Sequence, residues 1–226
     1  MSPVPDWAKA FADCRQGRRM VKSETEVEMI PTLRECYALL HTHRVPEHII
    51  QHSRQVHRLA LSLSRELILQ GERLNQAAVE AASLLHDIAK MEGLQSGENH
   101  SQAGACLLRD LGFPEVAEIV RQHVVLDGGE PPHQITEAMV VHYADKRVRH
   151  TSVVSLAERF QDLKERYGKT PASLAWLEDL EESSLEVEKL IFAKLSIGPE
   201  SLISHPPAPS PAEGETFPEL SENPDR

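Results

Sequence analysis

Aromatic side chains are scarce in this 226-residue sequence, where phenylalanine, tryptophan and tyrosine make up 4%. Few rings are therefore on hand to stack the bases of a single strand. Cysteine is nearly absent too: Cys14, Cys36 and Cys106 lie far apart, with no Cys-x-x-Cys pair. That spacing excludes a zinc ribbon or a thiol redox motif and suits a reducing compartment, with the thiols buried or idle. No apolar run approaches the roughly 18 residues that a membrane helix needs. Residues 1–21 mix Asp6, Lys9, Asp13 and Arg15 through their apolar positions, unlike the core of an export signal. The expected location is cytoplasmic. Basic charge is also in deficit: the formal net charge is -11, which repels polyphosphate backbones at long range and excludes extended nucleic acid as a partner. The sequence is silent on oligomeric state.

What is present is an ordinary apolar fraction, 40%, together with twelve histidines. The length allows one generous domain or two small ones, either able to fold without disulfides or a structural metal. Apolar residues recur at three and four almost throughout, which predicts an all-α fold with no strand. The first helix begins at Pro31 and carries Leu33, Cys36, Tyr37 and Leu40 on one side. The second opens near Pro46 and is stopped by Gly71. Asn75 caps a third that ends between Lys90 and Gly93, Asn99 caps the next, and Pro114 starts another. The stretch 127–132 reads as a loop, and three further helices cover 134–149, 153–167 and 171–195.

The division expected is an N-terminal extension over 1–24, a helical domain over 25–196, and a Pro-rich disordered tail over 197–226. Beyond Gly198 there are six acids and one base, so nearly half of the formal charge belongs to the tail.

The segment Ala81-Ala82-Ser83-Leu84-Leu85-His86-Asp87-Ile88-Ala89-Lys90 sets an imidazole, a carboxylate and an ammonium into an apolar helix. Each costs free energy near a core unless it is paired or ligated. Adjacent helical residues diverge by about 100°, so His86 and Asp87 share one ion only if it sits between them and others help. Candidates come from apolar stripes: His52 with Val56, Leu59 and Leu63; His100 with Ala103, Leu107 and Leu111; His123 with Val116, Ile119 and Val120; Asp145 with Ala138, Val141 and Val148. Six inward ligand-type side chains from several helices suit iron, manganese, nickel, cobalt or zinc. The remaining histidines, His57 and His142 among them, fit no inward stripe, although His142, three residues before Asp145, is placed to reach the site as a supporting donor. The acidic run Glu178 to Glu188 reads as a solvated face.

In their order, these pieces resemble the HD-domain metal-dependent phosphohydrolase superfamily. Leu84 to Lys90 is similar to its signature, and Tyr143-Ala144-Asp145-Lys146 to its terminal Ala-Asp-Lys segment; the likeness covers roughly residues 45–165. The resemblance implies a single helical bundle in which His52, His86, Asp87 and Asp145 hold one divalent ion. His100 and His123 match the further histidines of the two-metal subset, with Asp87 bridging. It also implies hydrolysis of a phosphate ester or anhydride of a small molecule, a nucleotide, by water that the metals bring towards a pKa of about 7. Asp87 and Lys90 are the catalytic residues expected, and Lys90 and Lys146 the phosphate contacts. Arg147 and Arg149 either extend that basic patch or pair with Glu158 or Asp162. Two alternatives stand beside it: mixed-valent di-iron oxygenases, which share the six-ligand set, and a nucleotide-binding regulatory domain, against which the complete set argues.

Overall fold

A computed structural model describes residues 29–127 and 134–204. Ten helices follow one another within them: α1 (Leu33–Thr42), α2 (Glu47–Leu69), α3 (Gln76–Leu85), α4 (Lys90–Ser96), α5 (His100–Asp110), α6 (Pro114–Gln122), α7 (Glu137–Lys146), α8 (Leu156–Tyr167), α9 (Pro171–Phe192) and α10 (Ser201–Ser204). The all-α class is observed, with one addition between α7 and α8, an antiparallel hairpin of β1 (Val148–Arg149) and β2 (Ser152–Val153).

Short polar side chains fix the helix starts. Asn75 accepts from the Ala78 N–H and Asn99 from the Ser101 N–H, as their positions predict. Thr32 and Ser155 form reciprocal capping boxes with Glu35 and Glu158. Each such cap stabilises its helix by about 1 kcal/mol, because the first turn otherwise leaves its N–H groups unpaired.

Helix α3 sits at the centre, packed against α1, α2, α6 and α7. From Ala81 to Leu85 every residue is buried, and α7 is likewise buried from Ala138 to Lys146. A helix apolar on all sides belongs inside a bundle, so the polar side chains of α7 face the interior. No described helix is long and apolar enough to cross a membrane.

Several boundaries differ from those expected. Helix α3 stops at Leu85, before His86, rather than running on to Lys90. Helix α7 ends at Lys146, because Arg147 leads directly into the hairpin, whose two-residue strands are too short to show alternation. Its tight turn puts His150 in the left-handed region, at φ 56°. Ordered chain also reaches beyond 197: α10 follows, and Leu202 is 5% exposed within the core. The rest of the expected tail, 205–226, the extension 1–24 and most of the 127–132 loop lie outside the described residues.

Arg147 is not a surface group paired to Glu158 or Asp162. It is 1% exposed, and its Nη1 lies 2.9 Å from Glu188 Oε2. Its Nε donates to the Val154 carbonyl at 2.6 Å and its Nη2 to the Pro199 carbonyl at 3.0 Å. Tyr143 joins the group, donating to Glu188 Oε2 at 2.6 Å. One guanidinium thus ties α7, the hairpin, α9 and the segment before α10 together. Glu188 and Glu181, which pairs with Lys164 at 2.6 Å, are exceptions to the solvated reading of the acidic run.

Candidate metal centre

The end of α3 creates the site. The Ile88 N–H donates to the Leu85 carbonyl and the Lys90 N–H to the Asp87 carbonyl, each at 3.0 Å, so residues 86–89 form a turn before α4 starts. The two side chains are therefore released from helical spacing. His86 Nε2 comes within 3.4 Å of Asp87 Oδ2, with both residues buried.

Three of the four candidate histidines are aimed by their own backbone surroundings. His52 Nδ1 faces the His150 carbonyl at 2.9 Å, His86 Nδ1 the Ser83 carbonyl at 2.9 Å, and His123 Nδ1 the Val120 carbonyl at 2.7 Å. A carbonyl only accepts, so each Nδ1 carries the proton and each Nε2 presents a lone pair to the centre. The strained His150 backbone of the hairpin has a local purpose here, since its carbonyl orients His52.

The Nε2 atoms surround two carboxylates. His52 Nε2 lies 3.1 Å from Asp145 Oδ1, and His86 Nε2 lies 3.7 Å from the same oxygen. His100 and His123 stand 3.4 and 3.7 Å from Asp87 Oδ1. Their own Nε2 atoms are 3.2 Å apart. Two groups result, His52-His86-Asp87 and Asp87-His100-His123, each with donor atoms within 4.8 Å of one another, and they share Asp87. Either can hold a metal ion. All six side chains read from the sequence are thus brought to one place.

Two buried atoms at this centre, His86 Nε2 and Asp87 Oδ1, have no hydrogen-bond partner. An unsatisfied buried polar atom costs about 1–3 kcal/mol, and a cation between these groups would satisfy both. Protonation states fit as well. Burial pushes Asp87 up, but His86 and Lys90 outweigh it and hold the carboxyl well below the usual range. Asp145 is held down in the same way, against burial, by Lys146 and His52. Burial lowers His123 to about 4, leaving its ring neutral. Burial also lowers His86, yet Asp87 and Asp145 outweigh it and raise it.

The cluster forms one wall of a cavity of about 760 Å³. Lys90, 35% exposed at its side chain, lines the cavity while pairing with Asp87 Oδ2 at 2.6 Å. Lys146 lines it too, but is buried, donating to Asp145 Oδ2 at 2.7 Å and to the His123 carbonyl at 3.1 Å.

Two histidines were misjudged by their stripes. His57 is buried against Ser83, with Nδ1 and Oγ 3.3 Å apart. His142 is fully buried, its Nδ1 donating to the His123 carbonyl at 3.0 Å and its Nε2 lying 3.1 Å from Ser184 Oγ. The far wall of the cavity, with Arg159, Arg166 and Trp176, went unread. Arg159 and Arg166 lie two turns apart on one face of α8, which is the one sequence signal that could have drawn notice.

Comparison with known proteins agrees with this geometry. The family model described as HD domain matches residues 49–149, a span that contains all six side chains. An uncharacterised protein of Methanocaldococcus jannaschii is 28% identical over 141 residues, covering 57% of this chain and 82% of that protein. A tRNA (cytidine(56)-2'-O)-methyltransferase of Thermoplasma volcanium is 27% identical over 165 residues, covering 64% of this chain and 47% of that protein. The chain therefore spans about half the length of that second relative. No solved structure matches it.

Proposed function

We propose that the chain, whose residues 49–149 match the HD-domain family model, is a cytoplasmic metal-dependent phosphohydrolase of that superfamily acting on a phosphate ester or anhydride of a small molecule, a nucleotide. The observation that carries the reading is the pair of His/Asp groups sharing Asp87, with His86 Nε2 and Asp87 Oδ1 buried and unpaired between them. His52, His86, Asp87 and Asp145 would hold one divalent ion, and His100 and His123 a second, with Asp87 common to both. Such ions, among them iron, manganese, cobalt, nickel or zinc, supply a Lewis acid for phosphoryl oxygens and a water acidified towards neutrality.

The rest is done by the chain itself. The carbonyls of Ser83, Val120 and His150 hold three imidazoles in one tautomer. Lys90 reaches from the first turn of α4 into the cavity as an ammonium: burial lowers its proton affinity, but Asp87 and Asp145 outweigh burial and raise it. It is placed to meet a phosphate oxygen, and Lys146, with two of its three protons already donated, has one left for the same task.

The test is turnover of a phosphate-ester panel by metal-stripped protein reloaded with Mn2+, Fe2+, Co2+, Ni2+ or Zn2+. Hydrolysis that returns with metal, and is lost in His86→Ala and Asp87→Ala, supports the reading. Variants that keep both bound metal and hydrolysis sink it. A mixed-valent iron signal after anaerobic loading, without hydrolysis, assigns the same six side chains to oxygenase chemistry instead.

A further inference from the structure

Resting on that reading, we infer that Arg159 and Arg166 form a second anion-binding subsite in the same cavity. The molecule cleaved would then carry, beyond the phosphate at the Asp87 cluster, another phosphate or carboxylate on a flat apolar body.

The charge balance of the cavity comes first. Its lining holds Lys90, Lys146, Arg159 and Arg166 against two carboxylates, Asp87 and Asp145. Each lysine is matched to one of those carboxylates, at 2.6 and 2.7 Å. The arginines share a single acid from their own helix: Asp162 Oδ2 lies 3.2 Å from Arg159 Nη1, and its Oδ1 lies 3.1 Å from Arg166 Nε. One positive charge is therefore left over even before any metal is bound, in a chain whose formal charge is -11. An anionic ligand would neutralise it.

Hydrogen bonding agrees with the count. Arg159 Nε is buried without a partner, although its side chain is 13% exposed and lines the cavity. Arg166 Nη2 donates to His150 Nε2 at 3.0 Å, a neutral acceptor that leaves its charge in place. A buried donor left unmade is costly, and a charge-assisted bond to an anion would more than recover that cost.

The body between the two anions is indicated by the rim. Among the described residues, the exposed aromatic side chains are Tyr167, at 57%, and Trp176, at 48%, and both line this cavity. In a sequence with so few rings, two at one mouth make a surface for a flat apolar group. Helices α8 and α9, which supply these residues, lie beyond residue 149, where the family match ends.

The experiment compares phenyl phosphate with two derivatives that carry a ring carboxylate, attached directly or through a short alkyl arm, on the metal-loaded protein. The expected result is a kcat/KM at least about tenfold higher for a carboxylated ester, residing mainly in KM. Arg159→Gln and Arg166→Gln should bring that ratio close to one, and Arg159→Lys, which keeps the charge, should restore part of it. No preference in the unaltered protein, or a preference that survives both glutamine variants, overturns the proposal. If no ester is hydrolysed, the phosphohydrolase reading fails by itself. Calorimetric titration of the same three esters then still reads the subsite: tighter binding of a carboxylated ester, lost in Arg159→Gln, upholds it, and equal affinities overturn it.

Discussion

Lys90 Nζ lies 2.6 Å from Asp87 Oδ2, so the carboxylate shared by the two histidine groups has one oxygen neutralised by protein. Its other oxygen, Oδ1, faces His100 and His123 without a hydrogen-bond donor of its own. The two oxygens therefore have different tasks. Asp87→Asn removes the charge that both groups need and should lower bound metal at least about tenfold, in the range seen when metal-site support is lost. Lys90→Met leaves that charge and should keep the metal, while KM for phosphate esters rises about tenfold through loss of a charge-assisted contact. Elemental analysis beside steady-state kinetics separates the two; loss of metal in Lys90→Met would make the lysine part of the scaffold only.

Gly93 in α4 is held small by its neighbour. A Cβ there would sit 2.7 Å from His100 Cβ and 2.9 Å from the Glu98 carbonyl oxygen, both closer than real contacts allow. Helix propensity alone favours alanine by about 1 kcal/mol, yet the clash falls on one of the candidate ligands. Gly93→Ala should destabilise by about 1–3 kcal/mol as an overpacked site, and should displace His100 while His52 and His86 stay in place. Metal analysis would show about one ion lost before the other. Unchanged stoichiometry together with unchanged stability would refute this account of the glycine.

Much of this centre was legible because a helix buried on one face shows that face in its spacing. His52, His100, His123 and Asp145 each sit on an apolar stripe, and each arrives at the cluster. The same reasoning failed for His57 and His142 because α2 and α7 bury more than one face, so a histidine off the stripe is still inside. The convergence of His86 with Asp87 was hidden for a different reason. Helix α3 ends at Leu85 with no glycine or proline to mark the break, and only the tertiary packing shows it. Arg147 was misplaced because its partner Glu188 lies 41 residues away, beyond the reach of any local pattern. The arginine wall of the cavity depends on how α8 and α9 dock, which no spacing records.

Arg147 offers a test of the scaffold apart from the site. Its guanidinium is buried and faces Glu188, Tyr143 and two backbone carbonyls. Removing one partner of such a pair leaves the other charge uncompensated, a loss of about 3–5 kcal/mol when burial is complete. Glu188 is 18% exposed at its side chain, so the lower end applies. Arg147→Met should cost about 3 kcal/mol in urea unfolding, and Glu188→Leu added to it should recover a substantial part. Strictly additive losses in that double-mutant cycle would mean the two side chains act independently.

His142 sets the sign of the acid response. Burial, with Lys146 nearby, lowers its pKa from 6.5 to about 3, so the ring is neutral in the fold. In the unfolded chain it takes up a proton near 6.5, which means the unfolded state binds more protons between those values. The stability it contributes is thus complete above about pH 6.5 and is lost progressively as pH falls towards 3. His123, lowered to about 4 by burial, acts in the same direction, and so do the depressed carboxylates below their usual range. Substituting His142 isolates its share. Unfolding by urea in chelator, measured from neutral pH down to about pH 5, should show the unaltered protein losing about 1 kcal/mol per pH unit more than His142→Gln. Parallel slopes would mean that His142 is protonated in the fold, with its Nε2 donating to Ser184 Oγ while that hydroxyl donates to the Leu180 carbonyl.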